Sequence, residues 1–451
     1  MTAAWLFCAP VASASGTWLR SSVLSRPGDV TAYPDVAIDT RGRALVVWSE
    51  ILGNFNYVVR SSRQLHPRAR WAPGVNLSSP AVSSLGLQLA EDPRGAASVV
   101  WDQDFESTDP HPQPAFIGSS FLRTPTSVWS SPRRVSPFSG LSTAGTAGVG
   151  VDARGNAVTV WAQELAANTI YAAASPAGSG RWSAPLTLDG PGPLEAPVVA
   201  VSPNGSAVAA WLRTVSGGVL TAEYSVVMAA VRSAQGVWGR PVSLGSEYEP
   251  PLEGSANTHA PGPRVAINKA GEAIVVWQHL AGNTIQPEAD ALNPKTMRWG
   301  SPQPIARSYA IDPNVALDAA GDATVAWSAP VNRVMTSSRR LAGRCSWTPP
   351  RTLLKTQLNI PFPQVAVNPS GATVIVWEGP VRAAVRPSPG GAWQRTATLS
   401  PAEGGVPQVA LDAQGDAAVT WEQPARKFEV VRAARYIASG RPASTKPLPC
   451  R

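Results

Sequence analysis

Eight times in 451 residues the chain repeats one spacing: a short polar residue, glycine three positions on, and tryptophan six positions after that. The polar-to-glycine pairs are Asp39/Gly42, Asp92/Gly95, Asp152/Gly155, Ser202/Gly205, Asn268/Gly271, Asp318/Gly321, Asn368/Gly371 and Asp412/Gly415. The tryptophans are Trp48, Trp101, Trp161, Trp211, Trp277, Trp327, Trp377 and Trp421. A repeat in this register constrains the fold more than any composition does. Asp, Asn or Ser opens a tight turn by accepting backbone N–H groups two residues on, and Gly takes the positive φ that a turn demands. The flanking runs, such as Ala44-Leu-Val-Val-Trp48, are apolar at both parities, so each strand is covered on both faces.

A second pattern alternates with the first. Trp is followed six residues later by an aliphatic residue in Trp18/Leu24, Trp71/Leu77, Trp129/Val135, Trp182/Leu188, Trp238/Leu244, Trp299/Ile305, Trp347/Leu353 and Trp393/Leu399. Five copies carry proline three positions after the Trp (Pro132, Pro185, Pro241, Pro302, Pro350), which marks an edge strand because proline cannot donate to a central ladder. Between the two patterns lies a third short strand, for example 57–62 or 428–434. Four strands in units of about 40–50 residues predict an all-β, eight-bladed β-propeller of four-stranded antiparallel blades. The chain opens on an edge pattern and ends on a hairpin with its third strand, so the N-terminal strand is expected to complete the last blade. Residues 17–437 are then one domain. Of the 17 Trp, sixteen fall in the two patterns, which assigns them to packing between blades.

Residues 1–16 hold an apolar run, Ala3 to Val11, followed by Ala12-Ser-Ala14; this reads as a signal peptide without a basic start, or else as a frayed apolar N-terminus. No other apolar run reaches membrane-spanning length. Residues 438–451 read as an irregular tail. With a leader removed, Cys345 and Cys450 are candidates for a disulfide. The net charge of +8 is scattered rather than gathered in a stripe, which argues against nucleic acid. His66, His111, His259 and His279 show no metal-ligand spacing, and no nucleophile–base motif is found. No cofactor is expected. The loops 102–114 and 245–263 concentrate carboxylates; they are candidates for Ca²⁺ or a polar ligand, or are plain solvated loops.

In a propeller the second-to-third-strand loops share a face with the blade connections, and loops on a rigid scaffold carry function. The residues after each hairpin Trp should then line the channel mouth: Glu50, Asp102, Gln103, Gln163, Arg213, Gln278, His279, Glu378, Glu422 and Gln423. The alternating hairpin, Gly and Trp pattern resembles secreted bacterial β-propeller repeats of the sialidase-like and TolB-like superfamilies, with Ser202-Pro-Asn-Gly205 and the run to Trp211 nearest the TolB type. The sialidase resemblance implies glycan chemistry, but the Asp-to-Gly spacing here is one residue longer than in that family's box, and its arginine triad and Tyr/Glu pair are not found. The expectation is a secreted or cell-surface, non-catalytic monomer that binds an extracellular glycan or protein. The alternative is a glycoside hydrolase drawing two carboxylates from Glu50, Asp102, Glu378 and Glu422.

Overall fold

The computed structural model describes residues 16–26, 30–51, 56–104, 116–123, 128–137, 147–164, 168–215, 224–247, 262–329, 333–340, 346–355, 362–425 and 428–439. The apolar start before residue 16, both Cys345 and Cys450, most of the two acid-rich loops and the tail beyond 439 lie outside them. Among the described residues every regular element is a strand, and all pairings are antiparallel. The strands form small sheets of the propeller type. Each repeat unit, numbered 1–8 by its hairpin, supplies an inner strand, a second strand that ends near the Trp, a third strand and a short outer strand. In unit 1 these are Thr31–Ile38, Ala44–Ile51, Tyr57–Gln64 and Val75–Asn76. Units 7 and 8 are continuous, because the 15-residue strand Ala397–Leu411 is the outer strand of one and the inner strand of the other.

The turns form as their chemistry requires. Asp39 Oδ1 accepts the N–H groups of Arg41 and Arg43, each at 2.9 Å, and Gly42 has φ 72°. Asp92, Asp152, Asn268, Asp318, Asn368 and Asp412 repeat the same two acceptances. The choice between Asp, Asn and Ser has a consequence the turn alone does not reveal. Ser202, Asn268 and Asn368 also donate, reaching the turn carbonyls of the next unit at Asn268, Asp318 and Asp412. A carboxylate cannot donate, so after Asp39 and Asp92 the link is made by Arg43 to the Arg94 carbonyl and by Arg94 to the Arg154 carbonyl.

The eight repeat tryptophans are buried, none more than 1 % exposed. Each packs on the unit before its own: Trp101 on Val47, Val59 and Leu77; Trp161 on Val100, Ile117 and Val135; Trp277 on Val208, Ala210 and Leu212. Trp48, in the first unit, packs on Ala418, Val431 and Ala433 of the last. The outer strands explain the second Trp pattern. Proline interrupts them, leaving pairs such as Val128–Trp129 and Arg133–Arg134 on either side of Pro132. The aliphatic residue beyond each break donates its N–H to the third strand, as Leu77 does to Val59 and Val135 to Ile117. In three units a serine follows it and accepts a third-strand N–H: Ser25 from Val431, Ser78 from Val59, Ser136 from Ile117.

The chain ends meet in unit 8. Thr17–Trp18 and Ser22–Val23 pair with Phe428–Ile437. Trp18 lies 5.2 Å from Tyr436, centroid to centroid. Unit 8 also grips unit 1. Arg435, 2 % exposed, donates to the Gly42 carbonyl, to Gln64 Oε1 and to the Ala417 carbonyl.

Candidate functional site

The end of the molecule opposite the Asp-x-x-Gly turns is built from bulged inner strands. Six residues before the polar turn residue, the inner strand carries a left-handed residue: Tyr33 (φ 55°), Gly86 (57°), Ala196 (50°), Asp312 (53°), Phe362 (32°) and Val406 (51°). Five of these six are not glycine, and a left-handed conformation costs such residues on the order of 1 kcal/mol or more. Proline follows in five cases: Pro34, Pro197, Pro313, Pro363 and Pro407. The ladder register shifts across these dipeptides, for instance between Ala32 and Asp35 and between Ile311 and Asn314. Bulges of this kind re-aim side chains at sheet ends.

The bulge frees a backbone N–H, and the preceding unit captures it. Glu422 accepts from Tyr33 N at 2.6 Å, Glu378 from Val406 N at 2.8 Å, and Gln278 from Asp312 N at 3.5 Å. All three acceptors directly follow their unit's Trp. In unit 1 the equivalent Ser49 donates to the Ser84 carbonyl of unit 2. The residue after Trp therefore faces the next unit.

The residue two after Trp lies on the face of the Trp itself, because strand side chains alternate with period two. Glu50 accepts Trp48 Nε1 at 2.7 Å and pairs with Arg60 at 2.8 Å. Gln103 accepts Trp101 Nε1 and Gln163 accepts Trp161 Nε1, both at 3.1 Å. Gln423 does the same for Trp421 at 3.3 Å. In unit 4 the position is Arg213, which cannot accept; Asp189 takes Trp211 Nε1 and pairs with Arg213. In unit 5 it is His279, whose Nδ1 lies 3.9 Å from Glu288 and within hydrogen-bond reach of Ser246. The side chains expected at the mouth therefore differ in exposure, and parity alone does not decide it, since Gln278 is buried and Gln423 keeps partial exposure. Glu50, Gln103 and Gln163 are buried at 0 %, 3 % and 0 % exposure, turned between units as indole acceptors. Arg213, His279, Asp102, Glu378 and Glu422 keep partial exposure.

The structure brings together Asp312, Glu378, Val406, Glu422 and Tyr33, on the consecutive units 6, 7, 8 and 1, and Phe362 holds the corresponding bulge position of unit 7. All are partly exposed. Burial is the main cause that raises the three carboxyls: Asp312 to about 6, Glu378 to about 7 and Glu422 to about 8. Arg264 opposes the shift at Asp312; Asp312 adds to that at Glu378; Glu429 and Glu378 add to that at Glu422. At neutral pH Glu422 holds its proton, Glu378 is divided between its two forms and Asp312 is mainly ionised; a protonated carboxyl both donates and accepts hydrogen bonds. The sequence reading missed Tyr33, Asp312 and Phe362; the signal was the proline that follows each of them. Among the described residues no cluster of three metal-type side chains occurs, and no helix is long and apolar enough to cross a membrane.

A pH dependence follows. The folded carboxyls hold protons to higher pH than an unfolded chain would, so their contribution to stability is whole below the ordinary carboxyl values of 3.8 and 4.5 and is lost progressively as pH rises from there through about 6 to 8. We expect the melting temperature to fall across that window and Glu422→Gln to flatten its upper part. A melting series giving Glu422→Gln the same slope as the parent would contradict this.

No protein-family model and no curated protein matches the sequence. Among solved structures, the chain is similar to an α-L-arabinofuranosidase from Fusarium graminearum (10 % identity, 93 % of this chain and 98 % of that one, TM-score 0.44). It is similar also to the NanB sialidase from Streptococcus pneumoniae (9 %, 92 % and 70 %, TM-score 0.38). A third likeness is to an ulvan lyase of polysaccharide lyase family 25 (8 %, 81 % and 93 %, TM-score 0.48). With TM-scores below 0.5, none of the three assigns an activity to this chain.

Proposed function

We propose that residues 17–437 form a closed eight-bladed propeller, carried outside the cell or on its surface, which binds a glycan without cleaving it. Closure is supported by the cyclic packing, in which Trp48 rests on unit 8 as every other repeat Trp rests on its predecessor. An extracellular location rests on the apolar, leader-like start of the sequence. One observation carries the binding site: Tyr33, whose N–H Glu422 accepts, lies beside a series of carboxyls with raised pKa, Asp312, Glu378 and Glu422, on units 6, 7, 8 and 1, and Phe362 holds the same bulge position in unit 7. Flat apolar rings beside donor–acceptor carboxyls match the two faces of a sugar. Binding is favoured over hydrolysis because Glu378 and Glu422 each commit one oxygen to a backbone N–H of the next unit.

Hydrolysis is the second reading, favoured by the raised carboxyls of Asp312 and Glu378, either of which would suit a general acid. A glycan array on the purified chain, followed by calorimetry on the strongest hit, tests both. The expected result is binding that Tyr33→Ala weakens about tenfold, the range for losing one aromatic contact, with no release of reducing sugar. Turnover abolished by Glu378→Gln would replace the first reading with the second. Hits unaffected by Tyr33→Ala and Phe362→Ala would overturn both.

A further inference from the structure

At the turn-bearing end, a cleft of about 520 Å³ opens between units 3 and 4. Its apolar walls include Ala157, Val158, Ala174 and Val201, and two arginines, Arg181 and Arg232, face it. Comparison with the junction of units 6 and 7 shows why it is open. There Arg386 occupies the place of Arg232, each lying opposite the residue two beyond its unit's glycine. Arg386 donates to the hydroxyls of Thr324 and Thr373 and stacks 5.2 Å over Trp393. The residues matching those threonines in units 3 and 4 are Val158 and Ala207, which offer no acceptor.

Among the described residues the Arg232 side chain makes one hydrogen bond, Nη1 to the Gly205 carbonyl at 2.8 Å, and its buried Nε has no acceptor. The nearby Asp152 supports the Arg232 charge across space, but its oxygens accept from Arg154 N, Asn156 N and Asn156 Nδ2 and take no hydrogen bond from Arg232. Arg181 is exposed, and its guanidinium has no bond or ion pair among the described residues. Two guanidiniums with unused donors over an apolar floor form a receptor for a carboxylate attached to a ring. A volume of about 520 Å³ lies in the range of small-ligand pockets.

We propose that this cleft is a second binding site, independent of the mouth, and that it takes an acidic sugar, its carboxylate on Arg181 and Arg232 and its ring on the apolar floor. The test is equilibrium dialysis of the full chain against glucuronate, glucose and acetate. Glucuronate is expected to bind, and Arg181→Glu to weaken it about tenfold or more, as loss of a charged hydrogen bond does. Arg181 is exposed, so this variant folds as the parent does. Tyr33→Ala, at the mouth, should leave glucuronate binding unchanged, which separates this proposal from the preceding one. Equal binding of glucose would remove the carboxylate from the proposal, and equal binding of acetate would remove the ring. Absence of glucuronate binding, or binding indifferent to Arg181→Glu, would overturn it.

Discussion

A chain lacking residues 17–25 should unfold about 3–5 kcal/mol more readily than the intact one, a loss comparable to deleting a large core side chain. Three contributions vanish together. Trp18 leaves Tyr436, and Leu24 leaves the cluster of Trp48, Ala418 and Val431. The bonds of Leu19 and Leu24 N–H groups to the Arg435 and Val431 carbonyls are lost, with that of the Val431 N–H to Ser25 Oγ. The edge of Phe428–Ile437 is then exposed, an unpaired strand available to another chain. Denaturant unfolding monitored by Trp fluorescence, with light scattering alongside, measures both effects. An unchanged midpoint would mean that the N-terminal segment is an ornament on a last unit that is stable by itself.

Replacing one repeat tryptophan by alanine should be as costly, about 3–5 kcal/mol, through the cavity left between two units. Trp101→Ala is the cleanest case. Its ring packs on Val47, Val59, Leu77 and Leu87, and Gly118 lies so near that a Cβ there would meet the indole at 2.4 Å. Trp101→Phe separates the ring from its N–H. It should cost about 1–2 kcal/mol, because Gln103 keeps its bonds to the Ser83 carbonyl and Ser84. Equal losses for Phe and Ala would shift the weight from packing to the indole–glutamine bond. In unit 6 the indole nitrogen of Trp327 has no hydrogen bond among the described residues. Trp327→Phe should therefore cost less than Trp101→Phe.

Much of this architecture was legible in the sequence, because the turn and the buried Trp are local and repeat without a slip. Asp39 to Gly42 and on to Trp48 specify a hairpin with one buried anchor whatever surrounds it. The site was legible only in part. Glu50, Gln103 and Gln163 are polar and stand at a strand end, which suggested solvent; the alternation of the strand instead returns them to the side of their own Trp. Glu378 and Glu422 were found for their charge, but their backbone partners, Val406 and Tyr33, belong to the next unit around and leave no mark at short range. The left-handed bulges were hidden because Tyr33, Ala196 and Phe362 are residues that seldom adopt positive φ. The proline after each was the visible trace. Arg435 shows the limit most plainly: it lies 393 residues from the carbonyl of Gly42 that it holds.

Residues 17–23 join the sheet of the strand Phe428–Ile437 and so tie the last unit to the chain that leads into the first. Thr17 stands opposite Ile437 in that sheet. The direct measurement is oxidation of a chain carrying Thr17→Cys and Ile437→Cys, with its three native cysteines replaced by serine, followed by non-reducing electrophoresis and melting. A monomeric disulfide that raises the melting temperature is the predicted result, since facing strand positions lie within bridging distance. Free thiols under oxidant, or dimers joined between chains, would contradict it.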